Sequence, residues 1–128
     1  MTNSHKQILL VEDEENISIA LSFLIKREGY DLECVSDGEE AIAALDASRP
    51  DLVVLDAMIP GISGYGVCQH IRESAALQDM KILMISAAGE SARRRALEIG
   101  ADAFLLKPFD TRLLTAKMRD LLESQADA

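Results

Sequence analysis

Five short apolar runs alternate along the chain with five stretches whose apolar residues recur at helical spacing. The runs predict strands at about residues 7–11, 31–35, 51–55, 80–85 and 103–106. The stretches between and after them predict helices at about residues 14–28, 38–47, 64–75, 90–98 and 110–123. Gly29 and Gly100 stand where glycine commonly ends a helix, after the first and fourth of these stretches.

Regular alternation of strand and helix predicts the fold class. Strands that are apolar throughout are typical of a parallel sheet with helices on both faces, so an α/β fold with a doubly wound sheet is expected. A closed eight-stranded barrel needs about 200 residues or more, which exceeds this chain. We expect one domain over residues 1–128, with a core at about 6–123 and short flexible tails.

Polar side chains follow the apolar runs at the points where four predicted strands end. Glu12 and Asp13 follow the first run, Asp56 the third, Ser86 the fourth and Lys107 the fifth. In an open α/β sheet, ligands bind outside the carboxyl ends of the strands. The pattern therefore predicts one pocket that contains three carboxylates, a hydroxyl and an ammonium group.

The chemistry of this predicted pocket favours a magnesium ion. Two unit charges 4 Å apart repel by about 1 kcal/mol in water and by about 4 kcal/mol at an effective dielectric near 20. A fold rarely gathers carboxylates such as Glu12, Asp13 and Asp56 without a compensating cation, and oxygen ligands suit Mg²⁺. The alternative for Asp13 is a cap on the first helix. Four consecutive acids, residues 12–15, also argue against a dinucleotide-binding turn.

The other candidates have structural alternatives too. Lys107 could be a surface lysine, but it precedes Pro108, and a fixed turn there would direct the ammonium into the pocket. Ser86 could cap a helix or a loop, and Phe104 could be a core aromatic. These alternatives remain open at this point.

Bulk properties restrict the partners and the compartment. A net charge of −9 predicts poor binding to nucleic-acid backbones. No apolar run approaches the roughly 18 residues of a membrane span, so we expect a cytoplasmic protein without membrane contact. Cys34 and Cys68 lack metal-ligand spacing and are interpreted as reduced, small apolar side chains.

Six segments together resemble the receiver domains of two-component response regulators, including the single-domain chemotaxis regulator. The resemblance covers about residues 6–123, and any one of its segments alone would be weak evidence. The segments, in chain order, are Ile8 to Asp13, Pro50 to Asp56, Met58 to Gly61, Ser86-Ala87, Gly100 to Ala103 and Lys107 to Phe109.

The resemblance implies a flavodoxin-like sheet with strand order 2-1-3-4-5. It also implies that Asp56 accepts a phosphoryl group from a sensor histidine kinase, a histidine phosphotransfer protein or a small donor such as acetyl phosphate. One Mg²⁺ would be held by Glu12, Asp13, Asp56 and the backbone carbonyl of Met58.

The resemblance assigns further roles around Asp56. Lys107 would pair with the phosphoryl oxygens, and Ser86 would donate a hydrogen bond to them. Phe104 would be the switch aromatic that alters the surface of helix 4, strand 5 and helix 5, where a downstream protein binds. Such a protein accepts a phosphoryl group and is not a dedicated enzyme.

Several alternatives stay open. The chain could be a receiver taken from a longer DNA-binding or nucleotide-cyclising regulator, or a folded receiver that is never phosphorylated. A phosphohydrolase with an aspartate nucleophile is more remote, because Ala57-Met58 lacks the second acid of that class. Leu113 and the lone acid of Asp102-Ala103 leave the charged dimer face of transcription-factor receivers incomplete, so we expect a monomer or weak dimer.

Overall fold

A computed structural model describes residues 6–126 and shows five strands and five helices in strict alternation within that range. The strands are β1 (Gln7–Val11), β2 (Asp31–Val35), β3 (Leu52–Asp56), β4 (Lys81–Ser86) and β5 (Ala103–Leu106). The helices are α1 (Glu15–Arg27), α2 (Gly38–Ser48), α3 (Gly64–Glu73), α4 (Glu90–Ile99) and α5 (Thr111–Ala126). All strand pairs are parallel and the order is β2-β1-β3-β4-β5, which confirms the predicted doubly wound sheet.

Two apolar layers cover the two faces of the sheet. Successive side chains of a strand point to opposite faces. On β1, Leu9 and Val11 therefore pack toward α2, α3 and α4, whereas Ile8 and Leu10 pack toward α1 and α5. The central strand β3 is buried along its whole length, which explains its unbroken apolar sequence.

The strand boundaries differ from the prediction in a way that bears on the site. Asp56 and Ser86 are the last residues of β3 and β4, and each strand also begins one residue later than predicted. Their backbones still lie in register with the neighbouring strands, Asp56 opposite Ile85 and Ser86 opposite Leu106. The sheet ladder therefore fixes the backbone of both residues, and neither lies in a free loop.

Other boundaries shift by a few residues. Helix α3 ends at Glu73, earlier than predicted, because Ser74 adopts an extended conformation with ψ of 123°. Helix α5 reaches Ala126, so the expected C-terminal tail begins later than residue 124. The expected N-terminal tail, residues 1–5, lies outside the described residues.

The two cysteines, interpreted from the sequence as reduced, small apolar side chains, lie in different environments. Cys68 is fully buried on α3, but Cys34 is exposed, with its Sγ 3.1 Å from Ser22 Oγ. The reason is that β2 is an edge strand, and most of its residues face solvent. Ala20 of α1 and Leu97 of α4, whose helical spacing from other apolar residues is typical of a buried helix face, are exposed as well.

One arginine ties several elements together at the amino ends of β4 and β5. Arg72 of α3 donates hydrogen bonds to the carbonyls of Gln78, Met80 and Gly100, at 2.7, 2.6 and 2.9 Å. Its Nη2 also lies 2.9 Å from Asp102 Oδ2. Because a guanidinium has five donors in a rigid plane, this single side chain fixes three connections at once.

The difference between the two cysteines gives a test of the packing. Burial raises the pKa of the Cys68 thiol to about 11, and the side chain is sealed from solvent. We expect iodoacetamide at neutral pH to label Cys34 alone in the folded protein and both cysteines after denaturation, read by intact mass. Labelling of Cys68 at the rate of Cys34 in the folded protein would contradict this packing, and Cys34→Ser serves as the control.

Candidate functional site

The polar residues that follow or end the strands lie together at the carboxyl-terminal end of the sheet. Glu12 and Asp13 follow β1, Asp56 and Ser86 end β3 and β4, and Lys107 follows β5. Backbone hydrogen bonds continue the ladder past the strand ends, from the Ala57 N–H to the Ile85 carbonyl at 2.9 Å and from the Lys107 N–H to the Ser86 carbonyl at 2.8 Å. The separate chain segments therefore present their side chains to a common cleft.

The ammonium of Lys107 lies between two carboxylates. Its Nζ is 2.7 Å from Asp56 Oδ2 and 3.0 Å from Glu12 Oε1. The side chain of Glu12 is 0% exposed and that of Asp56 is 6% exposed, so both ion pairs are shielded from water. The Lys107–Pro108 peptide bond is cis.

Burial and ion pairing change the pKa of Glu12 and of Lys107, and both pKa values are raised. Burial is the largest influence on Glu12 and raises its pKa, and the Glu14 N–H and Lys107 oppose the rise only in part. Burial alone would lower the pKa of Lys107, but its hydrogen bonds to Asp56 and Glu12 outweigh burial and raise it. The hydrogen bonds to Asp56 and Glu12 therefore favour the charged form of Lys107 in this site.

Three acids form a cluster that suits a divalent ion. Glu12, Asp13 and Asp56 each offer a carboxylate oxygen, and these oxygens lie within 4.8 Å of one another. Asp13 is the exposed member, whereas the other two are buried. Hard oxygen donors with one open side fit Mg²⁺, which keeps several of its waters. The donor set of this chain therefore fits the metal that the sequence predicted.

The alternative that Asp13 caps the first helix is not seen. The N-cap residue of α1 is Glu14, and its side chain makes no capping hydrogen bond. Instead, Glu12 Oε2 accepts a hydrogen bond from the Glu14 N–H at 3.1 Å. Glu12 is thus held from both sides, by this amide and by Lys107.

The loop after Asp56 is folded tightly against its carboxylate. The Met58 N–H donates to Asp56 Oδ1 at 2.9 Å, and the Met58 side chain is 66% exposed. Gly64 begins α3 so close to this loop that an added Cβ would collide with the Asp56 carbonyl and with Ala57. The role of the Met58 carbonyl as a metal ligand remains a prediction.

Ser86 lies on β4, the strand beside Asp56, and Phe104 lies on β5, one strand further from Asp56. Ser86 is fully buried, and its Oγ accepts a hydrogen bond from the Ala88 N–H at 3.0 Å. The N-cap of α4 is Gly89, so Ser86, the last residue of β4, does not cap that helix. Phe104 lies opposite Met84 in the β4–β5 register and is half-buried against the core.

One contact near the site was missed from the sequence. The guanidinium of Arg95 on α4 lies 4.1 Å from the centre of the Tyr65 ring on α3, and both line a groove that reaches Asp13 and Met58. Aromatic and arginine residues at that separation in the sequence give no pairing signal. Only the packing of α3 beside α4 brings them together.

Comparison with known proteins identifies the family. The sequence matches the family described as the response regulator receiver domain over residues 8–119. The chain belongs to this family, as the resemblance implied.

Curated relatives are longer regulators. The chain is 42% identical over 123 residues to a probable transcriptional regulator, ycf27, of Cyanophora paradoxa, covering 95% of this chain and 50% of that protein. It is 40% identical over 119 residues to the alkaline phosphatase synthesis transcriptional regulatory protein PhoP of Bacillus subtilis, covering 92% and 49%. The chain therefore spans about half the length of the curated relatives it matches.

Solved structures share the fold. The signal receiver domain of a histidine kinase from Syntrophus aciditrophicus has a TM-score of 0.87 at 30% identity, covering 93% of this chain and 91% of that one. The receiver domain of the sensor histidine kinase PA1611 from Pseudomonas aeruginosa has a TM-score of 0.87 at 26% identity, covering 94% and 99%. That crystal structure has a magnesium ion coordinated in its active site cleft.

The names of these relatives and the helices of this chain bear on one expectation each. Both curated relatives are named as transcriptional regulators, so the expectation that the protein makes no contact with nucleic acid is not supported. Among the described residues, no helix is long and apolar enough to cross a membrane.

The acid cluster predicts that Asp13→Asn stabilises the metal-free protein but removes its stabilisation by magnesium. Asp13→Asn removes a charge that repels Asp56 and Glu12, so the melting temperature without metal should rise by about 3 °C. The same change removes a ligand, so stabilisation by millimolar MgCl₂ should disappear. Thermal unfolding by circular dichroism measures both.

Asp79→Asn is the matched control for this experiment. Asp79 is also exposed, but it precedes β4, at the amino-terminal end of the sheet and away from the site. Its variant should keep the magnesium response of the unchanged protein. A lower melting temperature of the metal-free Asp13→Asn protein would contradict the repulsion argument.

Proposed function

We propose that the protein is a phosphoacceptor in a two-component phosphorelay, with Asp56 as the site of phosphorylation. The observation that carries this proposal is the shared ion pair of Lys107 with Asp56 and Glu12, at 2.7 and 3.0 Å. A buried carboxylate beside a fixed cation, at the open edge of a sheet, is suited to accept an anionic group. Phosphoryl transfer depends mainly on such positioning and charge neutralisation.

The transfer step balances without a further reagent. One Asp56 carboxylate oxygen attacks phosphorus of the donor phosphohistidine, a P–O bond forms and the P–N bond breaks. The electron pair of the broken bond returns to the imidazole nitrogen, which takes a proton from water. Lys107, whose Nζ lies 2.7 Å from Asp56 Oδ2, pairs with the phosphoryl oxygens.

Glu12, Asp13, Asp56 and the Met58 carbonyl would hold the metal ion. When bound, Mg²⁺ supplies positive charge that offsets the charge of the three carboxylates and of the incoming phosphoryl oxygens. The exposed position of Asp13 keeps this side of the cleft open to solvent and to a donor. The magnesium ion in the cleft of the related Pseudomonas receiver supports this assignment.

Ser86 and Phe104 would convert phosphorylation into a surface change. The Ser86 hydroxyl already accepts a hydrogen bond from Ala88, so its proton is available to donate to a new anion on Asp56. That donation draws the turn between β4 and α4 toward the site and alters the space beside half-buried Phe104. The surface of α4, β5 and α5 changes as a result, and a downstream protein reads it.

The outer face of α1 would receive the phosphohistidine protein. Phe23 and Ile19 are 67% and 61% exposed, although both are large apolar residues. A separate apolar groove lies between α1 and the turn at Pro108 and Phe109, where Ala20 and Lys107 line it. Exposed apolar surface beside a reactive residue is typical of a protein docking site.

Two other interpretations are weighed against this one. Since the relatives are about twice as long, a receiver that belongs to a longer regulator is compatible with the same site chemistry. A phosphohydrolase is less well supported, because its second acid is missing after Asp56 and the side chain at Met58 faces solvent. The named relatives are regulators.

Acetyl phosphate tests the phosphoacceptor directly. With MgCl₂, the unchanged protein and Asp79→Asn should each gain the mass of one phosphoryl group, and Asp56→Asn should gain none. Excess chelator should prevent the gain in every protein. Equal labelling of Asp56→Asn would show that the acceptor lies elsewhere.

A second test separates donor docking from chemistry. Phe23→Ser removes exposed apolar area from α1, so transfer from a phosphorylated histidine kinase should slow by about tenfold, while labelling by acetyl phosphate stays unchanged. Leu97→Ser is the matched control, because Leu97 is also apolar and 37% exposed but lies on α4, away from α1. Equal rates for Phe23→Ser and the unchanged protein with the kinase would exclude this docking face.

A further inference from the structure

The guanidinium of Arg95 is a positive charge that has no carboxylate partner among the described residues. Arg93, two positions earlier on α4, is in contrast paired with Glu90. Arg95 is exposed and lies over the Tyr65 ring, 4.1 Å from the ring centre. Because such a contact uses the flat face of the guanidinium, the N–H donors at its rim remain available for an anion.

The groove that Arg95 lines has the size of a small-molecule site. Its volume is about 500 Å³, and it lies between α4 and the loop that joins β3 to α3. Its charged lining residues are Asp13 of the acid cluster and Arg95. Apolar side chains of the loop, from Ala57 to Pro60, form much of the remaining wall. The groove therefore combines room for a short hydrocarbon group with one available cation.

The groove opens beside the proposed phosphoacceptor. Ala57 and Met58, the two residues after Asp56, line it, and the Met58 N–H donates to Asp56 Oδ1 at 2.9 Å. The other carboxylate oxygen, Oδ2, lies 2.7 Å from the ammonium of Lys107. A small donor whose phosphorus reaches Asp56 can therefore extend its leaving group into this groove.

The charge of the cleft makes a further cation important for some donors. When ionised, Glu12, Asp13 and Asp56 carry three negative charges, and Lys107 supplies one positive charge. A bound Mg²⁺ would offset the remaining two charges but would leave no positive charge for an anionic leaving group. Arg95 is the cation that the groove itself provides for such a group.

We propose that this groove binds the acyl part of an acyl phosphate and that Arg95 determines the preference for such donors. An Asp56 oxygen forms a P–O bond while the P–O bond to the acyl oxygen breaks. The electron pair stays on the acyl oxygen, so the acyl part leaves as a carboxylate anion and takes up no proton. The Arg95 guanidinium pairs with this developing charge. The inference rests on the proposed function, because it names a donor class for the same phosphoacceptor.

A purely structural role of Arg95 is the main alternative. Its contact with Tyr65 joins α4 to α3, so its loss would loosen the packing beside the loop that follows Asp56. Such loosening would slow every phosphoryl donor alike. Pairing with the leaving group instead affects donors whose leaving group carries negative charge, so a donor with a neutral leaving group separates the two roles.

Acetyl phosphate and phosphoramidate are the two probes for this test. Both are small, but acetyl phosphate releases the acetate anion, whereas phosphoramidate releases neutral ammonia. The rate of labelling at limiting donor with MgCl₂ is measured by intact mass after rapid quenching. In Arg95→Gln, the ratio of the acetyl phosphate rate to the phosphoramidate rate should fall roughly tenfold, because the developing carboxylate loses its cation. Added salt should lower this ratio more in the unchanged protein than in Arg95→Gln.

Arg94→Gln is the matched control. Arg94 is the neighbouring exposed arginine of α4 and has no ion pair with a described side chain, but it does not line the groove. Its variant loses the same charge and should keep the ratio of the unchanged protein. An unchanged ratio in Arg95→Gln, or an equal fall in Arg94→Gln, would overturn this inference alone. Absence of labelling by both donors in the unchanged protein would overturn the proposed function and this inference together.

Discussion

The buried ammonium of Lys107, shared by Glu12 and Asp56, is the interaction on which the site depends. Two carboxylates with almost no solvent exposure would each lose hydration and repel the other. The lysine offsets both costs with hydrogen bonds of 2.7 and 3.0 Å, and it can do so only because β1, β3 and β5 end at the same edge. The charge cluster therefore depends on the parallel order of the sheet.

The sequence allowed the central part of this arrangement to be predicted because the strongest local signals come from the most buried elements. Strands β1, β3 and β4 are nearly continuous apolar runs, and a polar residue at the end of such a run has few places to lie. The sequence pattern alone therefore predicted that Asp56 and Lys107 lie in one cleft. Hydrophobic periodicity was less informative on α1 and α4, where Ala20 and Leu97 look like core residues and face solvent.

Contacts that depend on the relative placement of helices left no trace in the sequence. The Arg72 hydrogen bonds and the stacking of Arg95 on Tyr65 join residues that are distant along the chain, and each residue alone resembles an ordinary surface side chain. The exposure of Cys34 has a similar origin. It follows from the place of β2 at the edge of the sheet, which the apolar pattern of that strand does not encode.

The direction of the chain also determines where additional protein can be attached. β1 begins at the amino-terminal end of the sheet, which lies opposite the site, and α5 runs back toward that end. There Arg119 of α5 lies beside Glu28, the residue that follows α1. A strand of five residues separates these two ends of the sheet by about 15 Å. A tag or a fused module at either end would therefore be attached on the side of the domain away from the cleft.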